Sequence, residues 1–201
     1  MGHGHAHGQH GGKHGNPDDL AGYIAKMEEP ARDAWQKPDE VLRALAVAPG
    51  QTVCDIGAGP GYFALRLARA GAHVLAVDVE PAMVGVLRDR VEKAHVAVTP
   101  VLGLPADPLL PPASCDLILI VDTFHHFPDG VAYLQRLGHA LKPGGRVVNI
   151  DFHKRELPVG PAVEHKVARE AFVHAAEAAG YAVAREETFL PYQYFLILKR
   201  R

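Results

Sequence analysis

Cysteine is scarce in this chain. Its 201 residues hold two, Cys54 and Cys115, with no C-x-x-C pair. That excludes a disulfide scaffold and a thiolate-rich metal site. Each falls in or beside a predicted core strand, so both read as buried free thiols in a reducing cytoplasm. Long apolar runs are missing too. None approaches the ~20 residues of a membrane span, and the N-terminus has no apolar core of a secretory signal. Basic residues are not in excess: Lys and Arg number 21 against 23 Asp and Glu, a net charge of −2. Nucleic acid is therefore not expected as a bulk partner. No internal repeat is evident. What remains, 48% hydrophobic and 22% charged, is the composition of one soluble α/β domain able to bury a real core.

What is present centres on VCDIGAGPGYFALRLA, starting at Val53. A short apolar run carries Asp55 near its end. Gly57, Gly59 and Gly61 follow, and an apolar periodic stretch then predicts a helix. Strand, glycine turn and helix open a nucleotide-binding βαβ unit. Glycine suits the turn because the backbone there is tight and must approach a ligand closely. A dinucleotide fingerprint would read G-x-G-x-x-G. Here the pattern is G-x-G-x-G, and Tyr62 stands where the third glycine of that fingerprint belongs. Asp55, two residues before the first glycine, would repel a pyrophosphate but suits an ammonium group. S-adenosylmethionine (SAM) carries an ammonium and a sulfonium and no phosphate. Asp78 ends the next apolar run, HVLAVD, at the spacing from which an acid reaches ribose hydroxyls.

Residues 1–19, rich in glycine and histidine, read as a disordered tail. His3, His5, His7, His10 and His14 could chelate a divalent metal such as Zn, Ni or Cu, either incidentally or as a function of the tail. Residues 20–50 predict a helical cap, one helix stopped by Pro30 and a second opened by Pro38, with Trp35 between them. Strands are expected at 52–56, 73–78, 96–101, 115–121, 146–151, 183–189 and 194–199. Helices are expected at 62–70, 80–93, 128–141 and 162–179 between them. The last two strands are joined too closely for a crossover, so they form an antiparallel hairpin. The fold expected is a Rossmann-like, seven-stranded, mostly parallel sheet with helices on both faces and that hairpin at its end, formed by residues 20–201 as a single domain.

DIGAGPG, AVDVEPAM, SCDLILIVDTFHHF and LKPGGRVVNIDF, in that order, resemble the successive motifs of class I SAM-dependent methyltransferases, above all the small-molecule type 11 branch. The resemblance covers residues 38–198. It implies that Asp55, Gly57, Ala58, Gly59 and Gly61 hold the methionine end of SAM, and that Asp78 and Val79 meet the ribose. Asp107 stands near the adenine edge, displaced from the place where relatives carry an acid, and a hydrophobic adenine slot with backbone hydrogen bonds is the equal alternative. Methyl transfer from a sulfonium is an in-line displacement, so the protein must align nucleophile and methyl and, for a protonated acceptor, remove a proton. Strand ends supply the candidates. One of His125 and His126 is expected to line the pocket as a base, the other to pack. Asp151, His153, Lys154 and Tyr192 are expected at the substrate mouth, and Trp35 either packs there over cofactor or substrate or staples the cap to the core. Asp122 and Asp151 could hold Mg²⁺ as in catechol-type relatives, but no metal is expected. Arsenite chemistry would want more thiolates than two. Two other readings stand beside a small-molecule methyltransferase: a non-catalytic module that binds SAM or its demethylated product, and a metal-handling protein working through the histidine tail. The oligomeric state and the methyl-accepting atom, O, S, N or C, are left open.

Overall fold

The computed structural model describes residues 19–201. The histidine-rich tail and its proposed metal chemistry lie outside the described residues.

The seven strands are β1 (Thr52–Ile56), β2 (His73–Asp78), β3 (Val98–Leu102), β4 (Cys115–Val121), β5 (Leu141–Phe152), β6 (Tyr181–Glu187) and β7 (Gln193–Arg200). They form one sheet in the order β3-β2-β1-β4-β5-β7-β6. β1 to β5 run parallel, and β7 lies antiparallel between β5 and β6. Strand order reverses between β1 and β4, which opens a cleft above their carboxyl ends, where open α/β sheets bind ligands.

Alternation along the strands divides the core into two layers. Val53, Leu117, Leu119, Phe195 and Ile197 face one side. There they pack on α3 (Pro38–Leu45), α4 (Ala64–Arg69) and α5 (Pro81–Ala94) through Val41, Leu67 and Leu87. Cys54, Ile118, Ile120, Leu196 and Leu198 face the other. Their partners are Leu134 and Leu137 of α6 (Gly130–Ala140) and Phe172 of α7 (Arg169–Ala178). Both cysteines are buried and unbridged. Local signals set the helix starts. Asp129 accepts the Ala132 N–H at 2.9 Å to cap α6, and Pro38 and Pro81 open α3 and α5.

Beyond shifts of about two residues at element ends, such as β3 starting at Val98, the structure departs from the sequence reading as follows. The cap holds an additional helix: α1 (Leu20–Met27) is followed by α2 (Arg32–Gln36), and Lys37, at φ 46°, turns the chain into α3. β5 starts at Leu141, not Arg146. Leu141 pairs with Cys115 and Arg146 with Leu117, so residues 142–145 bulge out between two pairings. The helix expected over 162–179 is reduced to a 3-10 turn at Val163–His165 and α7. Between them Lys166 is extended and buried, its ammonium donating to the Arg155 carbonyl at 2.9 Å. β6 begins at Tyr181, whose hydroxyl donates to the Leu134 carbonyl at 2.9 Å and ties the strand to α6. Among the described residues, no helix is long and apolar enough to cross a membrane.

Candidate functional site

The glycine turn begins where β1 ends. Gly57 and Ala58 donate their N–H groups to the Val77 carbonyl at 2.8 and 3.0 Å, which presses the turn against β2. Gly57 has φ +71°, and a Cβ there would stand 2.4 Å from Thr123 Oγ1. Only glycine gives that approach between the turn and the end of β4. Two carboxylates flank the turn. Asp78 accepts from the Gly59 N–H and the Glu80 N–H, each at 3.0 Å. Asp55 is 3% exposed. Burial pushes its carboxyl up to about 7, against the opposing pull of the Ala64 N–H and the Arg32 guanidinium. Burial raises Asp78 as well, against three backbone N–H groups. Val79 follows on the surface, 39% exposed. Asp107 lies beyond β3. Its carboxylate accepts from the Leu109 N–H at 2.9 Å and from Arg136 at 3.1 Å.

The cap is fastened over this turn. Met27 of α1 reaches toward Gly59, and Glu28 forms an ion pair with Arg90 of α5. Arg32 of α2 lies over the Tyr62 ring, 3.8 Å from its centroid, and Arg66 covers the same ring at 4.1 Å. Tyr62 donates to Asp33 at 2.5 Å. From Arg32 a chain of amides runs inward. Arg32 donates to Gln36 at 3.2 Å, Gln36 to Gln193 at 2.7 Å, and Gln193 to Asp122 at 2.8 Å. Asp122 sits just past β4 at φ 51°. Burial lifts its carboxyl to about 6, with Arg32 and Gln193 opposing. Asp151, at the end of β5, is 1% exposed and is pushed up to about 8 by burial and then by the Asp122 charge. One Asp151 oxygen accepts its neighbour Phe152 N–H at 2.8 Å. The other has no hydrogen-bond partner among the described residues, and neither does the side chain of buried Asn149. Among the described residues no group of three or more His, Cys, Asp or Glu side chains could hold a metal.

His125 and His126 do not lie on an extended segment. They occupy a 3-10 turn, Phe124–His126, with ring centroids 4.0 Å apart. Successive side chains on such a turn diverge by about 120°, not the 180° of a strand, so the two rings can lie near each other, and of the two His125 lines a groove. His125 Nδ1 is buried and unpartnered among the described residues. Burial, then His126 and His165, holds its imidazole down at about 4. It is neutral at pH 7 and a weak base. Trp35 packs on Phe152 and Tyr192, at centroid distances of 5.5 and 6.4 Å. The cap and the end of β5 thus share one aromatic wall. His153 and Lys154 lie beyond that wall, lining an open groove of about 550 Å³ beside α7. The structure therefore gathers the candidates into two groups. Asp55, Gly57, Gly59 and Asp78 surround the turn, and Trp35, Tyr192, Asp122 and Asp151 converge under the cap. Arg32, Gln36, Gln193 and Thr123 escaped the sequence reading. Arg32, Gln36 and Gln193 belong to no motif and acquire their roles only when the cap folds onto the sheet; Thr123 lies within SCDLILIVDTFHHF, but its contact with Gly57 forms only when the turn meets the end of β4.

A family pattern described as "Methyltransferase domain" matches residues 53–145. The chain is 36% identical over 99 residues to a ubiquinone biosynthesis O-methyltransferase of Xylella fastidiosa, covering 49% of this chain and 40% of that protein. It is 31% identical over 127 residues to a demethylmenaquinone methyltransferase of Tropheryma whipplei, covering 63% and 52%. The chain thus spans about half the length of the curated relatives it matches. Among solved structures, a SAM-dependent methyltransferase from Aquifex aeolicus superposes with a TM-score of 0.84 at 27% identity, over 90% of this chain and 98% of that one. That likeness covers more of this chain than the curated relatives do. Residues 53–145 thus match a methyltransferase domain, and the chain shares its fold with a SAM-dependent methyltransferase.

Proposed function

We propose that this chain moves the sulfonium methyl of SAM to a hydroxyl-bearing aromatic acceptor of the quinol kind. The observation that carries the SAM half is the turn: a glycine whose Cβ would clash with Thr123, between two buried or half-buried carboxylates. That cradle suits a ligand with a cation and hydroxyls and opposes a pyrophosphate. Asp55 and the backbone of Gly57 and Gly59 would hold the ammonium end, and Asp78 the ribose. When bound, SAM supplies a methyl already activated by positive sulfur. The chain's own work is alignment and proton removal, and alignment alone can supply several kcal/mol. Trp35, Phe152 and Tyr192 offer a flat apolar wall for an aromatic ring. Asp122, lifted to about 6 at the end of β4, is better matched to take a phenolic proton than His125 at about 4. The acceptor class also draws support from the names of the relatives, a ubiquinone biosynthesis O-methyltransferase and a demethylmenaquinone methyltransferase.

The test is transfer of labelled methyl from SAM to a panel of quinols, catechols, thiols and amines, with SAM affinity read by calorimetry. Label is expected in the quinol and catechol products and lost in Asp55→Ala together with SAM binding. Asp122→Asn is expected to keep SAM affinity and lose most of kcat. SAM binding without label in any acceptor would turn the reading toward a sensor.

A further inference from the structure

A second groove, of about 360 Å³, opens beside the one at His153 and shares Lys154 and Ala168 with it. His125, His165, Lys166 and Glu164 complete the inner groove's charged and titratable lining. Lys166 is the unusual member. It is 2% exposed, and its ammonium donates to the Arg155 carbonyl at 2.9 Å and lies 5.8 Å from the Phe152 ring centroid. No carboxylate pairs with it among the described residues. Burying an ammonium is costly unless an anion compensates it. In the outer groove Arg169 is already taken, held by Glu186 through bonds of 2.8 and 2.6 Å. Lys154 and Arg155 form no ion pair among the described residues. The acids Glu164 and Glu170 are exposed at the rim. Ala168, common to both grooves, is the N-cap of α7 and offers no side-chain cap, so the positive end of that ten-residue helix also faces the space.

The groove is also in the right place. His125 stands two residues beyond Thr123, whose side chain abuts Gly57 of the cofactor turn. Lys154 stands two residues beyond Phe152, against which Trp35 packs. An acceptor whose ring lies on the aromatic wall can extend a substituent into the groove. We infer that the acceptor carries an anionic group, a carboxylate or a phosphate, which is seated between Lys166 and Lys154. This rests on the methyltransferase reading and narrows its substrate class.

The experiment is a binding titration of the full chain at saturating S-adenosylhomocysteine (SAH) with three probes: 3,4-dihydroxybenzoate, phenyl phosphate and neutral 3,4-dihydroxybenzyl alcohol. One or both anionic probes are expected to bind about tenfold tighter than the alcohol, the size of one charge-assisted contact. The better of the two names the group. Lys166→Met and Lys154→Gln are expected to reduce that ratio severalfold and leave the alcohol's Kd within about twofold. If the wild type binds all three probes alike, or if both variants weaken anionic and neutral probes equally, the inference is overturned. SAH affinity is measured in the same samples. Its loss would refute the cofactor reading, and the three probes would then be compared without SAH, where the same ratio still decides the groove.

Discussion

Burial lifts the Asp55 carboxyl to about 7, so near neutral pH the free chain holds it partly protonated. A ligand ammonium binds the ionised form only, and binding must therefore expel the proton. Below about pH 7 the ionised fraction falls tenfold per unit, and SAH affinity should fall by up to the same factor. Above about pH 8 it should level off. Calorimetry in buffers of different ionisation enthalpy should show about half a proton released at pH 7. Asp55→Asn should bind SAH weakly with no pH dependence between about 6 and 8. An unchanged slope in that variant would assign the proton elsewhere, Asp78 being the next candidate because burial raises it too. Gly57 limits the same site by shape. Gly57→Ala places a Cβ 2.4 Å from Thr123 Oγ1 at a φ of +71°. The expected cost is about 2–4 kcal/mol, read by urea unfolding. Thr123→Ala in the same chain should recover the steric part and leave the backbone part.

At the level of elements, a polar contact joins cap to sheet beside the aromatic one of Trp35 on Phe152. Gln193 at the start of β7 links Gln36 of α2 to Asp122 past β4, with bonds of 2.7 and 2.8 Å. Gln36 and Gln193 are 0% and 1% exposed. Gln193→Ala leaves a buried amide and a carboxyl unpaired, a penalty of about 2–4 kcal/mol. The loss should be local. Hydrogen exchange is expected to quicken across α1 and α2 while β1, β4 and β5 stay protected; uniform deprotection would show that the cap and sheet unfold as one. This joint also marks where the sequence stops being legible. Apolar alternation and glycine punctuation located all seven strands and the turn, because those signals are local. The hairpin could be inferred from the short join before Gln193. α2 could not, since its five residues, set between Pro30 and Pro38, are too few to carry a periodicity. Nor could the roles of Arg32 and Gln193, which are about 160 residues apart in the chain and meet through Gln36. Lys166 was hidden for a similar reason: within an expected helix it reads as one more solvated lysine, and only the extended segment before α7 buries it.

For the whole molecule, the buried carboxyls set how stability responds to pH. Asp55, Asp122 and Asp151 are raised to about 7, 6 and 8. A carboxyl whose folded pKa exceeds its unfolded value holds its proton better in the native state. Its contribution is complete below about pH 4 and is lost as pH rises to the folded value, at up to about 1.4 kcal/mol per unit. His125, lowered to about 4, acts oppositely: the native state keeps it neutral, so its contribution grows as pH rises from about 4 to 6.5. Between those limits three carboxyls, with Asp78 also raised by burial, outweigh His125 and the likewise lowered His153; above about 6.5 Asp55 and Asp151 continue the decline, opposed above about 7 by Cys115, lowered to about 7 chiefly by its hydrogen bond with Cys54. Stability should therefore decline from about pH 5 to about pH 8, by a few kcal/mol and about 5–10 °C in Tm for a chain of this size, where many proteins are near their maximum. Scanning calorimetry at about pH 5, 6.5 and 8 reads the slope. Asp151→Asn keeps an acceptor for the Phe152 N–H and removes the ionisation, so it should flatten the limb above about pH 6.5 and raise Tm at about pH 8. SAH should oppose the decline in the wild type, because it favours ionised Asp55 while Asp151 is untouched. A Tm that rises from about pH 5 to 8 would mean that water reaches Asp122 and Asp151 beneath the cap. The amide chain from Arg32 would then not close that end of the sheet.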